Sequence, residues 1–228
     1  MKKVSMLIPV YNEKKFLLDI VKLCEEVDFG CEKEIILIDD FSTDGTRELY
    51  KDLPHKVLYH EKNKGKGAAI RTGIEQASGD IILIQDSDLE FNPADYKPIV
   101  EMLAADKADV VYGSRFADNR NKGNFLFLSY VANTVLSLLT RLLYGTYITD
   151  SYTCYKAFKA DVIKNIKLEC NRFEFEAEVT AKVLRNKTLR YSEVPISYNA
   201  RTEADGKKIT WKDGIIAICT LFKYRFVD

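Results

Sequence analysis

Three acidic residues stand at alternate positions in IILIQDSDLEFNP, residues 81–93: Asp86, Asp88 and Glu90. In an extended chain, alternate side chains share one face, so these carboxylates would lie close together and repel one another. A divalent cation removes that cost, and Mg²⁺ or Mn²⁺ binds carboxylates together with substrate phosphates. The spacing therefore indicates a site for Mg²⁺ or Mn²⁺ and a diphosphate. The alternative is a solvated turn or a helix cap, where a D-x-D pattern also occurs.

A second stretch, KNKGKGAAIRTG at residues 62–73, places Gly65, Lys66 and Gly67 at the start of a helical pattern. Backbone N–H groups at a helix N-terminus bind phosphate, and Lys66 adds a cation beside them. The spacing is not that of a Walker P-loop, and STDGT at residues 42–46 is not a dinucleotide-binding fingerprint. The alternative is that the glycines are turn residues and Lys66 is a solubilising surface charge.

The composition of the whole chain excludes several classes of protein. Its 228 residues are 46% hydrophobic, enough for one large core, and 34 Lys and Arg balance 34 Asp and Glu. That balance gives no basic surface for nucleic acid. The five cysteines are odd in number and lack a C-x-x-C pair, which favours reduced thiols over disulfides or zinc. The first apolar run is too short for a signal peptide, so we expect a cytoplasmic protein.

The acids and glycines need elements to position them, and the first half of the chain alternates apolar runs with amphipathic segments. The runs predict buried strands at 4–9, 34–39, 56–60, 80–85 and 109–113. The segments between them predict helices at 13–27, 43–52 with Ser42 as the N-cap, 66–77 and 93–106. In such α/β sheets, ligands gather at the carboxyl ends of strands. The turns PVYNE, DDFSTDGT and DSDLE should therefore share one edge.

The second half opens with a long apolar segment, residues 123–145. Ser129, Asn133, Ser137 and Arg141 recur in it at every fourth position, which predicts a helix with one polar stripe. The stripe and Arg141 argue against a membrane span and favour a helix at an interface or in a groove. The remaining elements are predicted as a strand at 152–159, a helix at 173–186, an edge strand at 188–199 and an amphipathic helix at 210–226.

Together these motifs resemble the family 2 glycosyltransferases of the GT-A fold, within them the dolichol- or polyprenyl-phosphate mannosyltransferase-like branch. The resemblance is carried by PVYNE, IDDFSTDGT, NKGKGAAIRTG, DSDLE, GSR at 113–115, TDSYTCYK at 149–156 and EVPISYNARTEADGKKI at 193–209. It implies an α/β protein with a single layered α/β/α sheet domain and an apolar acceptor-side helical segment. Residues 1–115 would bind the nucleotide sugar, and residues 116–228 the acceptor.

The resemblance also implies roles for single residues. The nucleotide would be contacted by Pro9, Tyr11, Glu13, Ile38, Asp39, Asp40, Lys66, Gly67, Asp86 and Ser87. The metal would be held by Asp88 and Glu90, with Asp86 as a further ligand. The donor diphosphate and the acceptor phosphate would be embraced by Arg115, Arg201 and Lys207, with Lys208 as an alternative to Lys207. This chain departs from many relatives by having Glu90 in place of Gln and Cys154 in place of Gly.

The implied reaction is an inverting transfer of a hexose from a GDP- or UDP-linked sugar to a polyprenyl phosphate, dolichyl or undecaprenyl. A phosphate acceptor is anionic near pH 7, so it needs cations more than a base. A saccharide hydroxyl acceptor would need a carboxylate base, for which Asp150 and Glu176 are the candidates. Glu174 and Glu176 lie two positions apart, so only one of them should face the cleft. A third possibility, a non-catalytic nucleotide-sugar-binding domain, is disfavoured by the intact set of acids.

A lipid acceptor would bring the protein to a membrane. The segment 123–145 and the last helix carry cations that could meet anionic head groups: Arg120, Lys122, Arg141, Lys223 and Arg225. We therefore expect peripheral contact with the inner face of the membrane, made by the chain itself or through an anchoring partner. The alternative is that both helices belong to the core.

Overall fold

The computed structural model describes residues 2–118, 121, 127–200 and 211–227. Seven strands form one sheet: β1 (Lys3–Val10), β2 (Glu32–Asp39), β3 (Lys56–Tyr59), β4 (Ile81–Ile84), β5 (Val110–Ser114), β6 (Lys156–Lys159) and β7 (Tyr191–Pro195). Their order across the sheet is β3-β2-β1-β4-β6-β5-β7. β6 runs antiparallel to β4 and β5, and the other four pairs of strands in this sheet are parallel.

Helices cover both faces of the sheet. The described residues form α1 (Leu17–Glu26), α2 (Thr46–Leu49), α3 (Lys66–Gln76), α4 (Tyr96–Ala104), α5 (Phe127–Tyr144), α6 (Ala160–Asn165), α7 (Phe175–Arg185) and α8 (Trp211–Phe226). α1 and α4 pack on one face, and α3, α6 and α7 pack on the other. α5 and α8 contact each other and α7 on that second face. The layered α/β/α arrangement expected from the sequence is confirmed.

The second half of β1, residues 6–10, is apolar without interruption, and the packing of the strand explains why. Met6 and Ile8 point into the core beneath α1 and α4, whereas Leu7 points into the core beneath α3 and α7. A strand at the centre of a sheet covered on both faces has no solvent side, so both sets of alternating side chains must be apolar. Complete burial of each such side chain contributes about 1.5–3 kcal/mol relative to exposure.

The predicted strands and helices are observed, but several boundaries differ, and α6 was not predicted. α1 begins at Leu17 rather than at residue 13. The helix expected at 43–52 is a single turn of α-helix followed by the 3₁₀ turn Tyr50–Asp52, and its N-cap is Gly45 rather than Ser42. The strand expected at 152–159 begins only at Lys156, because Thr153 Oγ1 accepts a hydrogen bond from Tyr155 N and closes a turn before it. The strand expected at 188–199 is shorter, but β7 does lie at the sheet edge.

The polar stripe of α5 faces inward. Asn133 and Ser137 are buried, and Ser137 Oγ accepts a hydrogen bond of 3.0 Å from Ser151 N. On the opposite side of the helix, Leu138 and Leu142 are 53% and 75% exposed. The side chain of Ser129, the first residue of the stripe, lies outside the described residues. The inward face of α5 therefore combines buried polar residues with Leu136 and Tyr144, and its outward face exposes leucines.

No helix in the part of the chain that the structure describes is long and apolar enough to cross a membrane.

Glu34 ties three strands together at the end of the sheet where β1 begins. Its carboxylate accepts hydrogen bonds from Ser5 Oγ and from Ser78 N, and it lies 3.1 Å from Lys3 Nζ. Burial alone would raise the pKa of Glu34, but the hydrogen bonds from Ser5 and Ser78 and the contact with Lys3 lower it to about 2. The ionised carboxylate therefore stabilises the folded state.

We expect Glu34→Gln to make the stability of the protein less sensitive to acid. Because the folded-state pKa lies below the ordinary value of 4.5, the stabilisation by Glu34 is complete above pH 4.5 and is lost as the pH falls toward 2. Urea unfolding at pH 7 and pH 3 should show a lower free energy of unfolding for the variant at pH 7 and a smaller difference between the two pH values. Glu101→Gln, at an exposed position of α4, is the control. Equal acid sensitivity of wild type and Glu34→Gln would contradict this role.

Candidate active site

The turns that follow β1 and β2 are joined by hydrogen bonds. Asn12 N donates to Ser42 Oγ at 3.0 Å, and Glu13 N donates to Thr46 Oγ1 at 3.1 Å. Asn12 and Phe41 have positive φ angles of 53° and 69°, a conformation that non-glycine residues rarely adopt outside tight turns. The two turns therefore form one constrained rim at the carboxyl ends of the parallel strands, as expected. Because Ser42 Oγ accepts the hydrogen bond that joins the two turns, Ser42 does not cap α2.

Asp39 lies inside this rim with its side chain fully buried. Its carboxylate accepts hydrogen bonds from Arg47 Nε at 2.6 Å, Tyr50 Oη at 3.0 Å and Ser42 N at 3.1 Å. Pro9 and Ile38, two other predicted nucleotide contacts, are paired in the register of β1 and β2 and are buried. In this structure Asp39 supports the rim, whereas Tyr11 is 37% exposed at its surface.

Asp40 positions the glycine-lysine loop, residues 62–67. Its carboxylate accepts hydrogen bonds from Lys64 N at 2.8 Å and Gly65 N at 2.7 Å, and it contacts His60 Nδ1 at 2.7 Å. His60 is buried and contacts Thr72 in α3 through its other nitrogen, so its role here is structural. The end of β2 thus holds the start of α3.

The glycines of this loop are required by close packing. Gly65 has a φ of 98°, and a Cβ atom there would lie 2.5 Å from Asn171 O; one at Gly67 would lie 2.6 Å from Cys170 O. Real Cβ atoms do not approach backbone oxygen so closely, so the loop can press against residues 170–172 only if both positions are glycine. This packing places Lys66 at the first position of α3, facing the end of β4.

Lys66 lies between two carboxylates. Its Nζ is 2.6 Å from Asp86 Oδ1 and 3.2 Å from Glu176 Oε1, and Glu176 Oε2 is 2.5 Å from Lys156 Nζ. Burial alone would lower the pKa of Lys66, but Asp86, with Cys154 and Glu176, raises it well above its usual value. Burial alone would raise the pKa of Asp86, but Lys66 holds it below its usual value. Lys66 and Asp86 are therefore both charged at neutral pH.

The three acids of DSDLE do not form a closed metal cage. The Asp86 carboxylate forms an ion pair with Lys66. Within the same turn, Asp88 Oδ1 accepts a hydrogen bond from Glu90 N at 3.2 Å. Among the described residues, no group of three His, Cys, Asp or Glu side chains is arranged to hold a metal ion. The expectation that Asp86, Asp88 and Glu90 form one ligand set stays a prediction. Carboxylates such as Asp88 and Glu90, completed by phosphate oxygens, are a donor set that suits Mg²⁺ or Mn²⁺.

Arg115 and Asp150 form a second charged pair. Asp150 is fully buried and accepts from Arg115 Nε at 2.7 Å and from Nη2 at 2.8 Å, a bidentate arrangement. The guanidinium also lies 5.1 Å from the ring centre of Tyr198 and 5.9 Å from that of Phe91. Arg115 is thereby held rigidly with 15% of its side chain exposed.

The sequence assigned no role to two residues that support the site. Glu193 in β7 accepts hydrogen bonds from Thr149 N at 2.9 Å and Asp150 N at 3.2 Å, and burial raises its pKa. It holds the loop that carries Asp150. Lys156 at the start of β6 neutralises Glu176. Both residues lie within motifs that carry the family resemblance, TDSYTCYK and EVPISYNARTEADGKKI, and each is an ionisable residue in a strand whose other residues are buried or partly buried.

The structure brings most of the predicted site residues to one side of the sheet. Ser87 is buried in the turn that carries Asp86. Glu174 accepts hydrogen bonds from Asn171 N and Arg172 N just before α7, whereas Glu176 is buried beside Lys66 and Lys156 and is the one of the two that contacts other site residues. Five predicted cations lie outside the described residues: Arg120, Lys122, Arg201, Lys207 and the alternative Lys208.

Comparison with known sequences identifies relatives over most of the chain. Residues 5–167 match the family described as Glycosyl transferase family 2. Over 217 residues, 86% of this chain and 85% of the relative, the chain is 30% identical to UDP-N-acetylglucosamine–dolichyl-phosphate N-acetylglucosaminyltransferase of Methanococcus voltae. It is 26% identical over 211 residues to the dolichol-phosphate mannosyltransferase of Pyrococcus furiosus, covering 90% of this chain and 59% of that one.

Solved structures share the fold. Glucosyl-3-phosphoglycerate synthase from Mycobacterium tuberculosis, in complex with Mn²⁺, UDP and phosphoglyceric acid, has a TM-score of 0.74 at 16% identity and covers 100% of this chain and 80% of its own. The same enzyme with Mg²⁺ and UDP has a TM-score of 0.73 at 17% identity, with the same coverage. The sheet described above is therefore a GT-A fold. Because the family match spans well over half of the chain, the protein belongs to glycosyl transferase family 2 and is a glycosyltransferase.

Proposed function

We propose that this glycosyltransferase moves a hexose from a nucleoside diphosphate sugar to a polyprenyl phosphate, with inversion at the anomeric carbon. The observation that carries the proposal is that both carboxylates considered as bases are already ion-paired. Asp150 is held by the two nitrogens of Arg115, and Glu176 lies between Lys66 and Lys156.

The state of these carboxylates favours an anionic acceptor. A hydroxyl nucleophile needs a base with an accessible oxygen within hydrogen-bond reach. Asp150 and Glu176 are almost completely buried, and each is neutralised by a neighbouring cation. A phosphate monoester needs no deprotonation, so cations that offset the repulsion between acceptor and donor are sufficient. Arg115 is the described cation suited to that task, and Arg201 and Lys207 are proposed to complete it.

The donor is proposed to bind across the rim and the glycine-lysine loop. Tyr11, Glu13 and Asp40 would lie on the nucleotide side, with the diphosphate near Lys66 and Gly67 at the N-terminus of α3. Asp86 and Ser87 would orient the sugar. Asp88 and Glu90 are proposed to hold Mg²⁺ or Mn²⁺, which supplies positive charge to the departing diphosphate. In this proposal residues 1–115 bind the donor and residues 116–228 the acceptor, within one catalytic domain.

The relatives support the lipid acceptor. The proteins from Methanococcus voltae and Pyrococcus furiosus are named for dolichyl phosphate and dolichol phosphate, whereas the structurally similar synthase from Mycobacterium tuberculosis is named for phosphoglycerate. All three names share a phosphorylated acceptor or product, but only the two sequence relatives name a lipid. The hydrophobic surface of this chain favours the lipid.

That surface is the exposed apolar side of α5 together with that of α8, which pack against each other. We call it the apolar platform and define it as Val135, Leu138, Leu142, Ile215, Phe222 and Phe226, each more than 40% exposed. Large apolar side chains beside the cations Lys223 and Arg225 suit a lipid surface with anionic head groups. We propose that the platform rests on the inner face of the membrane and brings the cleft to the lipid phosphate, directly or with an anchoring partner.

Sugar transfer should depend on the lipid phosphate. Purified protein with Mn²⁺ and a panel of GDP- and UDP-linked hexoses should release nucleoside diphosphate and form a lipid-linked sugar only when a short polyprenyl phosphate is present. The matching polyprenol, which lacks the phosphate, is the control acceptor and should give no product. Release that is indifferent to the lipid phosphate, with transfer to a saccharide hydroxyl, would overturn the proposed acceptor.

Asp88→Asn should lower metal-dependent turnover about 100-fold, because one charge that holds the cation against the diphosphate is removed. Folding should be unaffected, as judged by circular dichroism and thermal unfolding. Asp52→Asn, at an exposed position of the 3₁₀ turn that follows α2, is the matched control. Near-normal turnover of Asp88→Asn at limiting Mn²⁺ would remove Asp88 from the metal site.

Replacing apolar platform residues by acids should release the protein from membranes. Leu138→Asp and Leu142→Asp should each weaken binding to vesicles of phosphatidylglycerol and phosphatidylcholine about tenfold, since each withdraws one leucine from the lipid surface. Leu18→Asp is the matched control, because Leu18 is 47% exposed on α1 at the opposite face of the sheet. Vesicle flotation gives the bound fraction. Equal effects at Leu18 and Leu142 would show that the platform is not the contact surface.

A further inference from the structure

We propose that Lys156 is a positioning residue for the donor: acting through Glu176, it leaves the charge of Lys66 available to the donor diphosphate. Lys156, Glu176, Lys66 and Asp86 form one continuous row of alternating charge, which we call the charged row. The inference rests on the proposed function in taking a nucleoside diphosphate sugar as the ligand of Lys66. It adds a residue that cannot touch that ligand.

Lys156 is completely enclosed. Its side chain is 0% exposed, its ammonium group is 2.5 Å from Glu176 Oε2, and it donates a hydrogen bond to Thr153 O. The same ammonium lies 4.7 Å from the ring centre of Tyr112, where it is stabilised by the face of the aromatic ring. Every contact of Lys156 described here is therefore with the protein. An effect of Lys156 on a ligand therefore comes from its charge, chiefly through Glu176, which it contacts.

Glu176 makes unequal contacts with its two lysines. Oε2 accepts a hydrogen bond from Lys156. Oε1 is buried and has no hydrogen-bond partner among the described residues, although Lys66 Nζ is only 3.2 Å away. The Lys66 ammonium is instead directed at Asp86, which it approaches to 2.6 Å. Glu176 is thus bound to Lys156 and attracts Lys66 without capturing it. A buried acceptor left unsatisfied is costly, so this arrangement is not the one that maximises stability.

The location of Lys66 also shows an arrangement that does not maximise stability. As the first residue of α3, it lies at the positive end of the helix, where a cation is unfavourable, and its side chain is only 12% exposed. Buried ion pairs contribute little net stability, because desolvation offsets most of the attraction between the charges. A cation held in this place is explained by an anion that arrives there, and in the proposed function that anion is the donor diphosphate.

The charge of the row shows what Lys156 contributes. With two lysines and two carboxylates, the charged row is neutral. Without the Lys156 charge, the row would carry one net negative charge, and Lys66 would be shared between two carboxylates. That negative charge would lie beside the incoming diphosphate, where the surrounding protein screens it less than water would. The affinity for the donor would fall although no contact to the donor had been removed.

The test compares the affinities of three proteins for GDP and UDP in the presence of Mn²⁺, by isothermal titration calorimetry without acceptor. Lys156→Met should raise the Kd of the preferred nucleotide about 10-fold or more, in the range found when one partner of a buried charge pair is removed. The double variant Lys156→Met with Glu176→Gln is neutral again and should recover most of the lost affinity. A purely structural role for Lys156 does not predict this rescue.

Lys159→Met is the matched control. Lys159 is the last residue of the same strand and is also ion-paired, with Asp106 and Asp109, but at the other end of β6. Lys159→Met should leave the Kd of the preferred nucleotide unchanged. Lys156→Gln provides a second test should Lys156→Met not fold, because glutamine keeps a hydrogen-bond donor and removes only the charge. It should weaken nucleotide binding to a similar extent, and the KM for the donor sugar should rise with it.

Wild-type affinity in folded Lys156→Met or Lys156→Gln would overturn the inference, and so would a loss that Glu176→Gln does not restore. These outcomes do not depend on whether the acceptor is a polyprenyl phosphate, because the titrations contain no acceptor. If the wild-type protein bound neither GDP nor UDP, the inference and the donor part of the proposed function would fall together.

Discussion

The candidate site depends on one constraint, which is that charge removed from water must be paired. Arg115 is paired with Asp150, Lys66 with Asp86, and Lys156 with Glu176. Each pair combines one side chain from a turn or strand end with another from a distant part of the chain. Pairing of this kind holds the side chains in fixed positions more than it stabilises the fold, because desolvation offsets much of the electrostatic gain.

The sheet makes these pairings possible by placing the central strands side by side and in parallel. β1, β2 and β4 end on the same side, so the turns that follow them meet although they lie up to about seventy residues apart in sequence. The rim formed by Asn12 and Ser42, and the hold of Asp40 on Gly65, convert three separate turns into one surface. The antiparallel strand β6 then brings Lys156 beneath that surface from the second half of the chain.

The pairing also bears on the chemistry. A carboxylate bound to a guanidinium or an ammonium group is a poor general base, because protonation would break the ion pair. In the proposed function, Arg115 and Lys66 offset the charge of two anions, a donor diphosphate and an acceptor phosphate. Catalysis in such a site would come from holding the reactants in line and offsetting their repulsion. The exposed leucines of α5, Leu138 and Leu142, accord with the proposed lipid acceptor.

The sequence alone determined the layered α/β class, the elements in their order, and the acids and glycines at the strand ends, because these follow from local periodicity and turn chemistry. It also determined the family, through the order of its motifs. It could not show that Asp86 pairs with Lys66, that Ser42 joins two turns, or that the stripe of α5 faces inward. Those outcomes depend on contacts between residues far apart in the chain, such as Ser137 with Ser151 and Lys156 with Glu176. Only the tertiary structure decided which acids are held by cations, because pairing a buried charge depends on which partner lies within about 3 Å in space rather than on spacing along the chain.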